Sequence, residues 1–130
     1  MRFSILVLDA PRAAQAGDSA WHFAKAVVAS GHELYRVFFY QEGVLHGSAL
    51  AVPAQDEIDR TARWASLAEE HGVDLVLCIA SAVRRGILDA GEAERHDQPA
   101  ASAHPAFTLS GLGQLVDAHI NSDRLVTFGG

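Results

Sequence analysis

The chain has 130 residues, 49% hydrophobic and 20% charged, with a single cysteine; Lys+Arg 10 against Asp+Glu 16 gives a net charge of 10 − 16 = −6 with the histidines neutral. That length suits one domain with a core of its own, and the apolar share excludes a disordered chain. A lone thiol excludes a disulfide framework or a four-cysteine zinc site, and the acidic balance with no basic stripe argues against a nucleic-acid-binding surface.

In chain order, Phe3 to Leu8 is a continuous apolar run closed by Asp9-Ala10-Pro11. It reads as a parallel-sheet strand buried on both faces, too short for a signal-peptide core of about 7–15 residues. No run approaches the roughly 18 apolar residues of a membrane span, so a cytoplasmic location is expected, where a lone thiol stays reduced. After a loop over 11–17, Asp18 or Ser19 is placed to cap a helix with Ala20, Phe23, Ala24, Val27 and Val28 on one face, and Gly31 falls where a C′ glycine belongs. Glu33 to Tyr40 predicts a second strand, followed by a loop from Gly43 to Pro53. Val44, Leu45, Leu50, Ala51 and Val52 make that loop unusually apolar, which points to an oligomer interface.

Asp56 is placed to start the next helix, with Ile58, Ala62, Ala65 and Ala68 at helical spacing and Gly72 closing it. Val73 to Ala80 predicts a third strand, Ser81 to Ile87 and Asp89 to His96 two short helical turns, and Phe107 to Leu109 a fourth strand. Ser110 then caps a helix whose Leu112, Leu115, Val116, His119 and Ile120 have the spacing of a buried stripe, with His119 expected as a hydrogen-bonded core histidine. Arg124 to Phe128 is the last strand. Strands alternating with helices imply right-handed βαβ units: an α/β three-layer sandwich with a mainly parallel sheet of about five strands, in one domain over 1–130. Functional groups in such a sheet gather beyond the carboxyl ends of its strands, here Asp9–Pro11, Gln41–Gly43, Cys78–Arg85 and Leu109–Gly111.

Cys78 falls near such an end, with a helical turn after it that carries Arg84 and Arg85. A helix N-terminus or a guanidinium favours a thiolate, whereas apolar burial between Leu77 and Ile79 favours an inert core thiol; on the residues alone both stay open. Arg84 and Arg85 are candidates for thiolate support, or for ion pairs with Glu92 or Glu94. The seven histidines are scattered without metal-ligand spacing, and G-x-G-x-x-G fails because position 116 is Val, so neither a metal nor a cofactor is expected.

The segments Met1-Arg2-Phe3, Gly31-His32-Glu33-Leu34, Val37 to Val44, Pro53-Ala54, Trp64, His71-Gly72-Val73, Arg84-Arg85-Gly86 and Phe107 to Gly113, in register over nearly the whole chain, resemble the DsrE/TusD family of small sulfur carriers. The resemblance places Cys78 at the family's sulfur-accepting position. It implies a parallel α/β sandwich and a sulfurtransferase that takes a persulfide sulfur onto Cys78 for 2-thiolation of the tRNA wobble uridine. It also implies assembly with related subunits of TusB and TusC type, two copies of each, a TusA-like donor and a TusE-like acceptor, with no direct nucleic-acid or membrane contact. A DsrE-like carrier in sulfur oxidation and a non-catalytic scaffold subunit are the alternatives.

Overall fold

The computed structural model describes residues 1–13 and 15–130. All five expected strands form: β1 (Arg2–Val7), β2 (Glu33–Phe39), β3 (Asp74–Cys78), β4 (Phe107–Ser110) and β5 (Arg124–Phe128). They make one sheet in the order β4-β3-β2-β1-β5, parallel at every pairing. The most apolar runs take the inner positions: in β2, Val37, Phe38 and Phe39 are all fully buried, as expected of a strand packed on both faces.

The helices are α1 (Ala16–Ala29), α2 (Arg60–His71), α3 (Ile79–Arg84), α4 (Ala90–Arg95) and α5 (Gly113–Asn121). Three successive crossovers step one strand in the same direction, from β1 to β2 to β3 to β4, so right-handedness puts α1 to α4 on one face. Side chains join the first two: the Trp21 indole N–H donates to the Arg63 carbonyl, and Arg60 and Arg63 both donate to the Asp18 carboxylate. The last crossover returns from β4 to β5 at the opposite edge, so α5 lies on the other face, the only helix there among the described residues. There the Asp117 carboxylate accepts from the Tyr35 hydroxyl at 2.7 Å and from the buried Arg36 guanidinium at 2.8 Å, while Arg36 also pairs with Asp74. The three-layer sandwich is thus observed, with its second helical layer reduced to nine residues.

Several boundaries differ from the sequence expectation, each for a local reason. Helix α1 starts at Ala16, and Asp18 is in its first turn, where the arginines of α2 draw its carboxylate away from a capping role. Helix α2 starts at Arg60, because Asp59 and not Asp56 accepts from the Ala62 N–H; its buried face is Thr61, Trp64 and Leu67, and Ile58 lies outside the helix, exposed. The apolar loop divides: Gln41–Gly47 folds into a 3-10 helix that buries Val44 and His46, whereas Leu50 and Val52 point to solvent, Val52 at 86% exposure.

The largest correction concerns α5. Ser110 stays in β4 and caps nothing, and of the expected buried stripe only Leu115 packs against the core: Leu112, Val116, His119 and Ile120 are exposed, Ile120 at 72%. The sheet is faced by Leu115, Asp117 and Ala118, because the Arg36 and Tyr35 anchors fix the helix through Asp117. His119 is therefore not a core histidine.

Candidate active site at the carboxyl edge of the sheet

Cys78 is the last residue of β3, Cα-paired with Ser110 of β4. On its other side Leu77 pairs with Phe39, which puts Tyr40 and the chain leaving β2 beside the thiol residue. The strand ends two residues earlier than expected, since a short apolar run such as Leu77 to Ala80 does not distinguish strand from helix by periodicity. Helix α3 begins at once with Ile79, so Cys78 occupies its N-cap position, with no side-chain capping bond. The thiol residue is 2% exposed.

The segment after β2 is tied across the turn that Cys78 begins. The Gln41 N–H donates to the buried Ser81 hydroxyl at 3.2 Å, with Gln41 itself held at φ 52°, in the left-handed region that a non-glycine residue seldom occupies. Glu42 accepts from Arg85 Nε at 2.8 Å, and Arg85 Nη1 donates in addition to the Ser81 carbonyl at 3.2 Å. Gly43 then packs directly against the Val7 carbonyl, leaving no room for a Cβ.

Arg84 and Arg85 stand in the last turn of α3 and its C-cap, six and seven residues beyond Cys78, which is about 9–10 Å along a helix axis. Arg85 is engaged by Glu42 and not by Glu92 or Glu94. Glu92 instead pairs with His96 at 3.0 Å and Arg95 at 3.6 Å. Arg84 makes no ion pair among the described residues; it is exposed and lines an open cleft of about 450 Å³ with Ile79, Ala80, Val83, Glu92, Arg95 and His96. The cleft thus starts at the residue after the thiol. Among the described residues no group of three potential metal ligands exists, and no helix is long and apolar enough to cross a membrane.

Sequence reasoning singled out the Gln41–Gly43 turn but missed Ser81 and the Glu42–Arg85 pair as partners of the site. Nothing in the local pattern joins residues 40 apart; only the β2–β3 register brings them together. It also missed His46, whose ring fills the space beside Gly17 and packs on Phe39 and Trp64. Burial lowers the His46 pKa to about 4, so the ring is neutral.

The fold and the site together define a small α/β protein with its one thiol residue buried at the carboxyl edge of a parallel sheet. The DsrE/DsrF-like family model matches residues 1–128, and the chain belongs to that family. It is 48% identical to sulfurtransferase TusD of Klebsiella pneumoniae, over 98% of this chain and all of that one. With a sulfurtransferase TusD homolog of Pseudomonas aeruginosa it shares 49% identity over 100% of this chain and 98% of the other. The Allochromatium vinosum protein DsrE, named provisionally as a sulfurtransferase, is 50% identical over 99% of both chains. The crystal structure of the ychN protein from E. coli superposes with a TM-score of 0.78 at 16% identity, covering 98% of this chain and 99% of that one, and shows the shared fold.

Proposed function

We propose that this chain is a sulfurtransferase that carries persulfide sulfur on Cys78. The observation that carries the reading is the place of that residue: the one cysteine of the chain ends a strand at the sheet's carboxyl edge, beside an open cleft, in a sequence matched end to end by relatives named sulfurtransferases. The Cys78 thiolate attacks the outer sulfur of a donor persulfide. A Cys78 Sγ–S bond forms, the donor's S–S bond breaks, and the donor leaves as a thiolate. An acceptor thiolate then attacks the outer sulfur held on Cys78, and Cys78 leaves as a thiolate in turn. Sulfur is transferred with no net oxidation, and no redox partner enters. Arg84 supplies a positive field at the mouth of the cleft, and Arg85 acts through Glu42 and Ser81.

The proposed destination of the sulfur is the 2-thio group of the tRNA wobble uridine, by way of a TusA-like donor and a TusE-like acceptor in the cytoplasm. Subunits of TusB and TusC type complete the assembly, two copies of each. The exposed apolar residues of α5 and of the loop at Leu50 and Val52 favour such an assembly, and a net charge of −6 leaves RNA contact to other proteins. A second proposed destination is sulfur oxidation, which the resemblance to a DsrE-like carrier implies.

Intact-mass measurement after incubation with a persulfide donor tests the transfer. The expected result is a gain of one sulfur atom, absent in Cys78→Ser and slower to appear in Arg84→Ala. No gain in the assembled complex would leave a scaffold role instead. Restoration of 2-thiouridine in a strain lacking its TusD-type protein decides between the destinations.

A further inference from the structure

The side chains of β3 alternate between the two faces of the sheet. Leu77 lies against Gly47 and so faces the 3-10 helix. Asp74 pairs with Arg36, which Asp117 of α5 also engages, so alternation points Asp74, Val76 and Cys78 to the opposite face, that of α5. In β4 the Cα partner of Cys78 is Ser110. Partners across a parallel ladder project to the same side, which sets the Ser110 hydroxyl and the Cys78 thiol next to each other on the α5 face. Neighbouring strands are about 4.8 Å apart, and Oγ and Sγ are each one bond beyond their Cβ, so the two atoms share a level above the sheet and come within hydrogen-bond reach when both turn inward. On the other side of the thiol stands Tyr40, which follows Phe39 with extended backbone and brings its ring to 6.5 Å from that of Phe38. Its hydroxyl is carried a ring's length from its Cβ, out of level with the sulfur.

The Ser110 hydroxyl has no other task among the described residues. It does not cap α5, whose N-cap is Leu112, and it makes no hydrogen bond there, although the residue is half-buried. The sulfur beside it does need a donor. Cys78 is 2% exposed, so a negative charge on Sγ is cut off from most of the water that would otherwise solvate it. Arg85 is engaged by Glu42, and Arg84 lines the cleft beyond α3, so a direct donor has to come from elsewhere. We infer that the Ser110 hydroxyl donates a hydrogen bond to Cys78 Sγ whenever that sulfur carries negative charge, both as attacking thiolate and as leaving thiolate. Resting on Cys78 as the sulfur carrier, this adds to the site a residue that touches the reacting atom. The hydroxyl keeps its proton throughout, and no bond to its oxygen forms or breaks. A neutral thiol is a weak acceptor, so the bond forms on ionisation. Its effect is largest in discharge, where charge develops on Sγ as the S–S bond to the outer sulfur breaks.

Two rates are followed by intact mass on the full chain: modification of Cys78 by iodoacetamide over a pH series, and loss of sulfur to dithiothreitol after loading with inorganic polysulfide. Ser110→Ala is expected to raise the pH of half-maximal modification by about one unit and to slow discharge about tenfold, the scale of one hydrogen bond to a charged group. Ser110→Thr keeps the hydroxyl and is expected to restore both. Thr108→Val alters the same strand and face but sits opposite Val76, and is expected to change neither. An unchanged pH profile in Ser110→Ala overturns the inference. So does a shift that Ser110→Thr fails to reverse, that Thr108→Val shares, or that Tyr40→Phe produces in place of Ser110→Ala. The carrier reading fails separately: the parent chain would then gain no sulfur from polysulfide, while the alkylation profiles would still decide the role of Ser110.

Discussion

His46 makes the stability of this fold depend on pH, in a direction that the structure determines. Its Nε2 is 3.1 Å from the Asp9 carbonyl, which can only accept, so Nε2 carries the proton and Nδ1 is a bare acceptor. Nδ1 is buried with no hydrogen-bond partner among the described residues, and the ring lies against Phe39 and Trp64. Protonating Nδ1 would put a charge and an unmatched donor into that space. Burial, opposed by the Asp9 carbonyl and the charge of Asp18 and reinforced by Arg60 and Arg63, holds the folded pKa at about 4 against 6.5 for the free side chain. Between those values the unfolded chain binds the extra proton, so stability falls as the pH falls. Above about 6.5 both states are neutral and the effect vanishes. Over the full interval of about 2.5 units, at 1.36 kcal/mol per unit, the loss reaches about 3 kcal/mol, a large part of a domain's usual ~5–15 kcal/mol. Urea denaturation at pH 7.0, 5.5 and 4.5 measures it. His46→Gln keeps a donor for Asp9 and cannot titrate, and the carboxylates act alike in both proteins, so the difference in slope isolates His46. Parallel stability–pH curves for the two would refute the argument.

Two further outcomes follow from other parts of the molecule. Asp18→Asn is expected to cost about 1 kcal/mol, the scale of a partly exposed pair, because Asp18 accepts from both Arg60 and Arg63. The hydrogen bond from Arg60 leads in lowering the Asp18 pKa, against burial, so the contribution is present at neutral pH and lost as the pH falls through the folded value, below 3.8; the gap between the thermal stabilities of parent and variant should therefore close in strong acid. Val116→Ser with Ile120→Ser should change the stability of the isolated chain by no more than about 0.5 kcal/mol, as at other exposed positions, while abolishing co-elution with the TusB- and TusC-type subunits proposed as its partners in size-exclusion chromatography; co-elution that survives would remove α5 from the proposed interface.

The sheet was legible in the sequence because each strand is an apolar run bounded by turn residues, and β2 with Phe38 and Phe39 both buried is the clearest instance. The face of α1 was legible because Ala20, Ala24 and Val27, spaced at i, i+4 and i+7, are residues that the helix buries. The site was legible only as a region. Cys78 and the Gln41–Gly43 turn are both strand ends, but the bonds between them depend on β2 and β3 lying side by side, which no spacing along the chain encodes. The end of β3 was misplaced because Ile79 and Ala80 suit either a strand or the first turn of a helix.

Helix α5 shows a different limit. Helical spacing identifies an apolar face, but which face meets the sheet is decided by what the sheet offers, and here it offers a charge. Arg36 is buried beneath α5 and needs carboxylates within reach, since an unpaired charge there would be costly. Asp74 supplies one from β3 and Asp117 the other from α5, which obliges the helix to turn Asp117 inward and Val116 and Ile120 outward. Since α5 is the only helix on its face among the described residues, none of their elements covers the stripe so displaced. The Arg36–Asp117 pair therefore does two things at once: it seats the helix on the sheet, and it presents an apolar surface on the outside of a layer that a second subunit can complete.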